Sequence, residues 1–187
     1  MRCLTLQDMT AHSSSERTLI LDQIYPMLQR SLLNADEVAA AWRSGRIPPS
    51  FQTRQGITIH HRWPLDPASF LFYEIFLLNC YTSDSFYFPK PGDTILDCGA
   101  NIGIFSLYLT TLEPNLHIHC VEPSQSTFKQ LKLNVEANHL QNVVSLYQMA
   151  VWKDHSQQTL FSGPSSGRRS MFPQEHQEVY GPSEIVT

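Results

Sequence analysis

Apolar positions along this 187-residue chain change their period several times, and the changes mark its elements. From about Ser15, "ERTLILDQIYPMLQRSLLN" repeats large apolar residues every three or four positions, the period of a helix, with Pro26 expected to kink or break it. "ADEVAAAWRSGRI" keeps the same period and predicts a second helix ending near Gly45, after which Pro48 and Pro49 close an N-terminal cap. Residues 1 to about 15 show no clear period and read as a loose terminus. "GITIHHRW" alternates and predicts a short strand. In "DPASFLFYEIFLLNCY", Asp66 and Pro67 stand where an N-cap and a first helical residue belong. That run is interrupted by Glu74 and falls short of a membrane span, so it predicts a buried helix.

After "FPKPGD" the period alternates between strand and helix: strand 94–98, helix 102–112, strand 116–121, helix 124–138 and strand 143–149. "SQQTLFSG" predicts a further strand, residues 163–182 a polar Gly/Pro/Ser-rich loop, and "SEIVT" the start of another strand. Such alternation implies an α/β fold with a parallel sheet. The organisation expected is an N-terminal helical extension over 1–56 and a cofactor-binding unit over 57–187.

The candidate chemistry sits where the first of these strands gives way to its helix, in "DTILDCGANIGIFSLYL". Gly99 and Gly103 allow positive φ and close approach of a ligand to the main chain, and unpaired N–H groups at the helix start are expected to face that ligand. Glu122 ends the next strand, 19 positions after Gly103, where a carboxylate can accept hydrogen bonds from both hydroxyls of a ribose. Asp97 separates the cofactors. A dinucleotide fingerprint reads G-x-G-x-x-G, whereas this turn reads D-x-G-x-N-x-G with Ile104 after its last glycine. A carboxylate there repels a pyrophosphate and suits a cation, which favours S-adenosylmethionine (SAM), with its sulfonium and ammonium groups, over NAD.

"KPGDTILDCGANIGIFSLYL", "VEPSQSTFKQLKLNVEANHLQNV" and "YQMAVWKD" together resemble the FkbM-type family of SAM-dependent methyltransferases, over about Phe70 to Phe161. The resemblance implies a Rossmann-like class I methyltransferase fold and methylation of hydroxyl oxygens. It also implies a SAM loop formed by Asp97, Gly99, Ala100, Asn101 and Gly103, with Glu122 on the ribose. Against the seven strands usual in that fold the chain supplies the first three, so the sheet is expected to be incomplete, with an open edge on its first strand. The base and the walls of the acceptor pocket would come from the part not represented, and no catalytic residue is assigned.

Composition narrows the partners. A formal charge of −4 argues against broad nucleic-acid binding, and the Arg168-Arg169 pair reads as a solvated loop. Cys3, Cys80, Cys98 and Cys120 lack C-x-x-C spacing and read as reduced, buried thiols of a cytoplasmic protein. His117 and His119 share a strand face without a third ligand near them in sequence, and His60 and His61 point to opposite faces, so no metal site is expected. The function expected is SAM-dependent O-methylation of a small-molecule hydroxyl, on a sugar, a polyketide or another natural product. The alternative is a non-catalytic truncated or split module that binds cofactor, self-associates, or pairs with a missing C-terminal half.

Overall fold

The structure, a computed structural model, describes residues 13–46, 50–62, 68–82, 87–154, 156–161, 171 and 183–187. Helix α1 (Ser14–Ser31) packs against α2 (Ala35–Arg43), burying Leu21, Ile24 and Leu28 against Val38 and Trp42. Contrary to expectation, α1 runs through Pro26 without a break. The ring is exposed on the face turned away from α2, where the missing N–H costs a hydrogen bond but no packing. Pro48, Pro49, Asp66, Pro67, Cys3 and most of the 163–182 loop lie outside the described residues.

Strands β1 (Ser50–Gln52) and β2 (Thr58–His60) form an antiparallel hairpin that joins residues from both sides of the expected 56/57 boundary. Helix α3 (Ala68–Phe72) passes directly into a π-helical turn, Tyr73–Leu77. A column of stacked rings then ties these parts together: His61 on Phe51, Phe51 on Phe72, Phe72 on Phe76, and Phe76 edge-on to Tyr108. Aromatic pairs at 4.8–5.2 Å bury large areas and fix relative orientation.

The cofactor unit has the predicted order. Strands β3 (Thr94–Cys98), β4 (His117–Val121) and β5 (Val144–Tyr147) form a parallel sheet in the order β3-β4-β5. The connections are α4 (Ile104–Leu112) and α5 (Gln125–Ala137). Apolar residues of both helices, among them Leu107, Leu131 and Val135, bury against Ile118 and Cys120 on one sheet face. This is the Rossmann-like arrangement that the strand–helix alternation predicts. Strand β3 pairs only with β4 among the described residues, so it forms an edge. On the opposite sheet face Leu96, Cys98, His117 and Tyr147 are exposed, so Cys98 is not the buried thiol expected from its place in a core strand. The expectation assumed both faces covered, as parallel sheets usually are. Cys80 is exposed as well, and Cys120 alone of the described thiols is buried.

Strands β6 (Gln158–Leu160) and β7 (Glu184–Val186) pair antiparallel as a separate two-stranded sheet, and just beyond β7 the Thr187 carbonyl accepts from the Ala150 N–H at 2.7 Å.

Helix α5 and its C-cap present three amides at i, i+4 and i+8: Gln130, Asn134 and, at the C-cap, Asn138. They cover the free edge of β2. Asn138 accepts from the Thr58 N–H and donates to the Thr58 carbonyl, both at 2.7 Å. Asn134 does the same for His60, at 2.8 and 3.0 Å, and Gln130 donates to the His60 carbonyl at 2.9 Å. The match of Asn134 and Asn138 has a simple origin: four helical residues rise about 6 Å and two strand residues about 6.6 Å, so these two amides, one turn apart, meet alternate strand residues.

Candidate functional site

The turn between β3 and α4 takes positive φ at every second residue: Gly99 (+77°), Asn101 (+53°) and Gly103 (+89°). This explains the G-x-N-x-G spacing, since glycine enters that region freely and asparagine is among the few other residues that do so. A methyl group on Gly103 would lie 2.7 Å from Leu131 Cδ1, so glycine also lets α4 start against α5. A methyl on Gly99 would meet only open space, and the exposed main chain there is approachable from outside.

The N–H groups of the turn itself, residues 99–103, are all directed at protein acceptors. Those of Gly99 and Ala100 both donate to the Val121 carbonyl, at 2.9 and 3.0 Å. That of Asn101 donates to Glu122 Oε2 at 3.0 Å, that of Ile102 to Asn101 Oδ1 at 2.8 Å, and that of Gly103 to the Ala100 carbonyl at 2.8 Å. All five are therefore bonded within the protein. Within residues 99–103 an anion finds no free amide, while Asp97 and Glu122 add carboxylates beside them.

Asp97, Gly99, Ala100, Asn101, Gly103 and Glu122 are brought together at the carboxyl ends of β3 and β4. Glu122 is buried, and its carboxylate spans the turn and the next helix start, accepting from Asn101 N–H and, at 3.0 Å, from Ser124 N–H. Asp97 faces α4, where its Oδ2 accepts from the Ser106 hydroxyl at 2.6 Å. Because the Ser106 proton is committed to Asp97, the Cys120 thiol, 3.0 Å away, is the donor to Ser106 Oγ. Burial raises the Asp97 carboxyl above the usual carboxylate range, with the Ser106 bond acting in the opposite direction. Burial likewise pushes the Cys120 thiol up to about 12.

Two neighbours escape a sequence reading. The Tyr81 phenol is raised by burial and also by the charges of Glu74, Cys80 and Asp97, so Glu74 and Tyr81 share the electrostatic surroundings of Asp97. Glu74 itself is raised by burial, and the Tyr81 ring leans on Phe105 in the first turn of α4, with centroids 4.9 Å apart. Glu74 belongs to the π-helical turn, a local widening frequent at functional sites. Glu74 as an interruption of an apolar run was the only signal available. Glu184 of β7 is a third addition: its carboxylate accepts from Ser124 Oγ and Gln125 N–H at the start of α5, at 2.8 and 3.0 Å.

A cleft of about 560 Å³ opens on the uncovered sheet face, lined by Leu96, Val121, Met149, Val151, Trp152 and Thr187. Val121 places it next to Glu122. Among the described residues no cluster of three or more metal-ligating side chains occurs, and no helix is long and apolar enough to cross a membrane.

No family model matches the chain. It is 39% identical over 67 residues to the 31-O-demethyl-FK506 methyltransferase FkbM of Streptomyces tacrolimicus, a match covering 36% of this chain and 25% of that protein. It is 31% identical over 114 residues to methyltransferase sdnD of Sordaria araneosa, covering 60% and 43%. With methyltransferase 1 of Beauveria bassiana the identity is 36% over 77 residues, covering 41% and 29%. The chain thus spans less than half the length of these curated relatives. Among solved structures, the N-terminal domain of human METTL16 in complex with SAH overlaps 74% of this chain and 59% of that one, at 16% identity and a TM-score of 0.34. With so little overlap the fold assignment rests on the β3-β4-β5 order itself. The likeness is to SAM-dependent methyltransferases, FkbM among them, and the cofactor class it indicates is S-adenosylmethionine.

Proposed function

We propose that this chain holds the cofactor of a SAM-dependent O-methyltransferase acting on the hydroxyl of a small molecule, a sugar, a polyketide or another natural product. One observation carries the cofactor choice: all five N–H groups of the turn 99–103 are taken by protein acceptors, while Asp97 and Glu122 line its base. Carboxylates in that position repel a pyrophosphate and favour a cation. Bound there, SAM supplies a methyl group activated by its sulfonium for transfer to a hydroxyl oxygen. The Asp97 carboxylate provides negative potential for the cationic end. Glu122 accepts backbone N–H bonds from the turn and from the next helix start, and its carboxylate is the acceptor placed for ribose hydroxyls. Gly99 leaves the main chain open to close approach, and the apolar cleft beside Val121 suits a flat, uncharged base.

In this reading residues 1–56 form an N-terminal extension and residues 57–187 the SAM-binding part, in the cytoplasm, where the exposed Cys80 and Cys98 stay reduced. A second reading, a cofactor-binding interaction module, is favoured by the free edge of β3. Methyl transfer from labelled SAM to a panel of sugar and polyketide alcohols separates the two. Transfer to any of them supports the enzyme; SAM binding without transfer to any favours the module.

A further inference from the structure

We propose that Asn134 is a positioning residue for the cofactor turn and that, through it, the N-terminal β1–β2 hairpin forms part of the cofactor site. The inference rests on the SAM reading above. Asn134 is fully buried, and all of its side-chain hydrogen-bonding groups are used. Oδ1 accepts from the His60 N–H, and Nδ2 donates to the His60 carbonyl and, at 2.8 Å, to the carbonyl of Ile102. Ile102 lies between the two positive-φ residues Asn101 and Gly103. One amide plane therefore links β2 to the middle of the turn and fixes where the Ile102 peptide points.

The adjacent amide supplies an internal control. Asn138 makes an equivalent pair of bonds to Thr58, two residues along β2, but its third bond goes to the Asn134 carbonyl on its own helix and not to the turn. Both residues secure the hairpin, yet only Asn134 reaches the turn. A purely structural role treats the two alike, whereas a positioning role singles out Asn134.

The test is titration of the full chain and of Asn134→Ala and Asn138→Ala with S-adenosylhomocysteine, alongside their thermal unfolding. Both variants are expected to lose stability, but Asn134→Ala alone is expected to weaken binding by about tenfold, with Asn138→Ala within about twofold of the parent. Equal losses, or unchanged affinity in Asn134→Ala, overturn the inference while leaving the cofactor reading intact. No binding by the parent chain overturns the cofactor reading itself. Hydrogen exchange on the unaltered protein gives a second measure that needs no variant to fold. Because coupling is reciprocal, S-adenosylhomocysteine is expected to slow exchange of the His60 amide at least about threefold more than that of the Thr58 amide. Equal protection of the two overturns the inference.

Discussion

Asp97 is a carboxylate kept where burial disfavours its charge, so its ionised form costs the fold stability. An acid whose pKa is higher in the folded than in the unfolded state stabilises the fold while protonated. That contribution is lost as pH rises from the ordinary aspartate value of about 3.9 through the raised folded value. Asp97→Asn retains an acceptor for Ser106, so its melting temperature at pH 7 is expected to equal or exceed the parent's, with a flatter pH dependence above pH 4. Affinity for SAM is expected to rise with pH through the same window in the parent and to lose that rise in the variant. Superimposable calorimetric pH profiles would remove Asp97 from the site. For Glu122→Gln the loss of charge-assisted bonds is expected to weaken SAM binding by about 1.5–3 kcal/mol, and unchanged affinity would leave Glu122 as a brace of the turn. The positions of Asp97, Gly99, Asn101, Gly103 and Glu122 were legible because a short strand–turn–helix unit brings them together locally. The direction of the turn's N–H groups was not, because it depends on the Val121 carbonyl and Glu122, supplied by the neighbouring strand. Nor was the approach of Glu74 and Tyr81, which arrive through the packing of a separate helix.

Among the elements, β3, β4, β5 and the two helices between them fall within a few residues of their predicted bounds, because each has an unbroken period and flanking turn residues. Pro26 did not break α1 because its ring is exposed, and an outward-facing ring leaves the buried stripe intact. Cys98 misled because a strand with apolar character on both faces is read as covered on both. Thiol labelling of the native protein tests the packing directly. Cys80 and Cys98 are expected to react with iodoacetamide, while Cys120, buried and with its thiol near pKa 12, is expected to react only after unfolding. Native labelling of Cys120 would contradict the close packing of α4 on the sheet. The start of α4 offers a second check. Gly103→Ala combines positive φ with a methyl directed at the fully buried Leu131, and is expected to cost about 1–3 kcal/mol in chemical denaturation, more than Gly99→Ala, which carries the backbone strain alone. A reversed order of the two would place the open side of the turn elsewhere.

For the molecule as a whole, the site sits at one corner of a sheet whose β3 edge and one face are uncovered among the described residues, with Leu96 62% exposed on that face. An apolar strand edge is a template for pairing with another chain. Light scattering is therefore expected to show concentration-dependent association that Leu96→Lys reduces; a monomer at all concentrations would mean the edge is covered in solution. The N-terminal helices and strand β2 were legible as elements, but β1, the hairpin it forms with β2, and the docking of β2 onto Gln130, Asn134 and Asn138 were not. Polar residues at helical spacing read as a solvated face, and only the fold brings a strand edge against them. The central claim, a turn whose carboxylates suit a cationic cofactor better than a pyrophosphate, is tested most directly by titrating the 187-residue chain with SAM and with NAD in parallel. The account predicts saturable binding of SAM, displaced by S-adenosylhomocysteine, and none of NAD. Saturable binding of NAD that neither SAM nor S-adenosylhomocysteine displaces would contradict it.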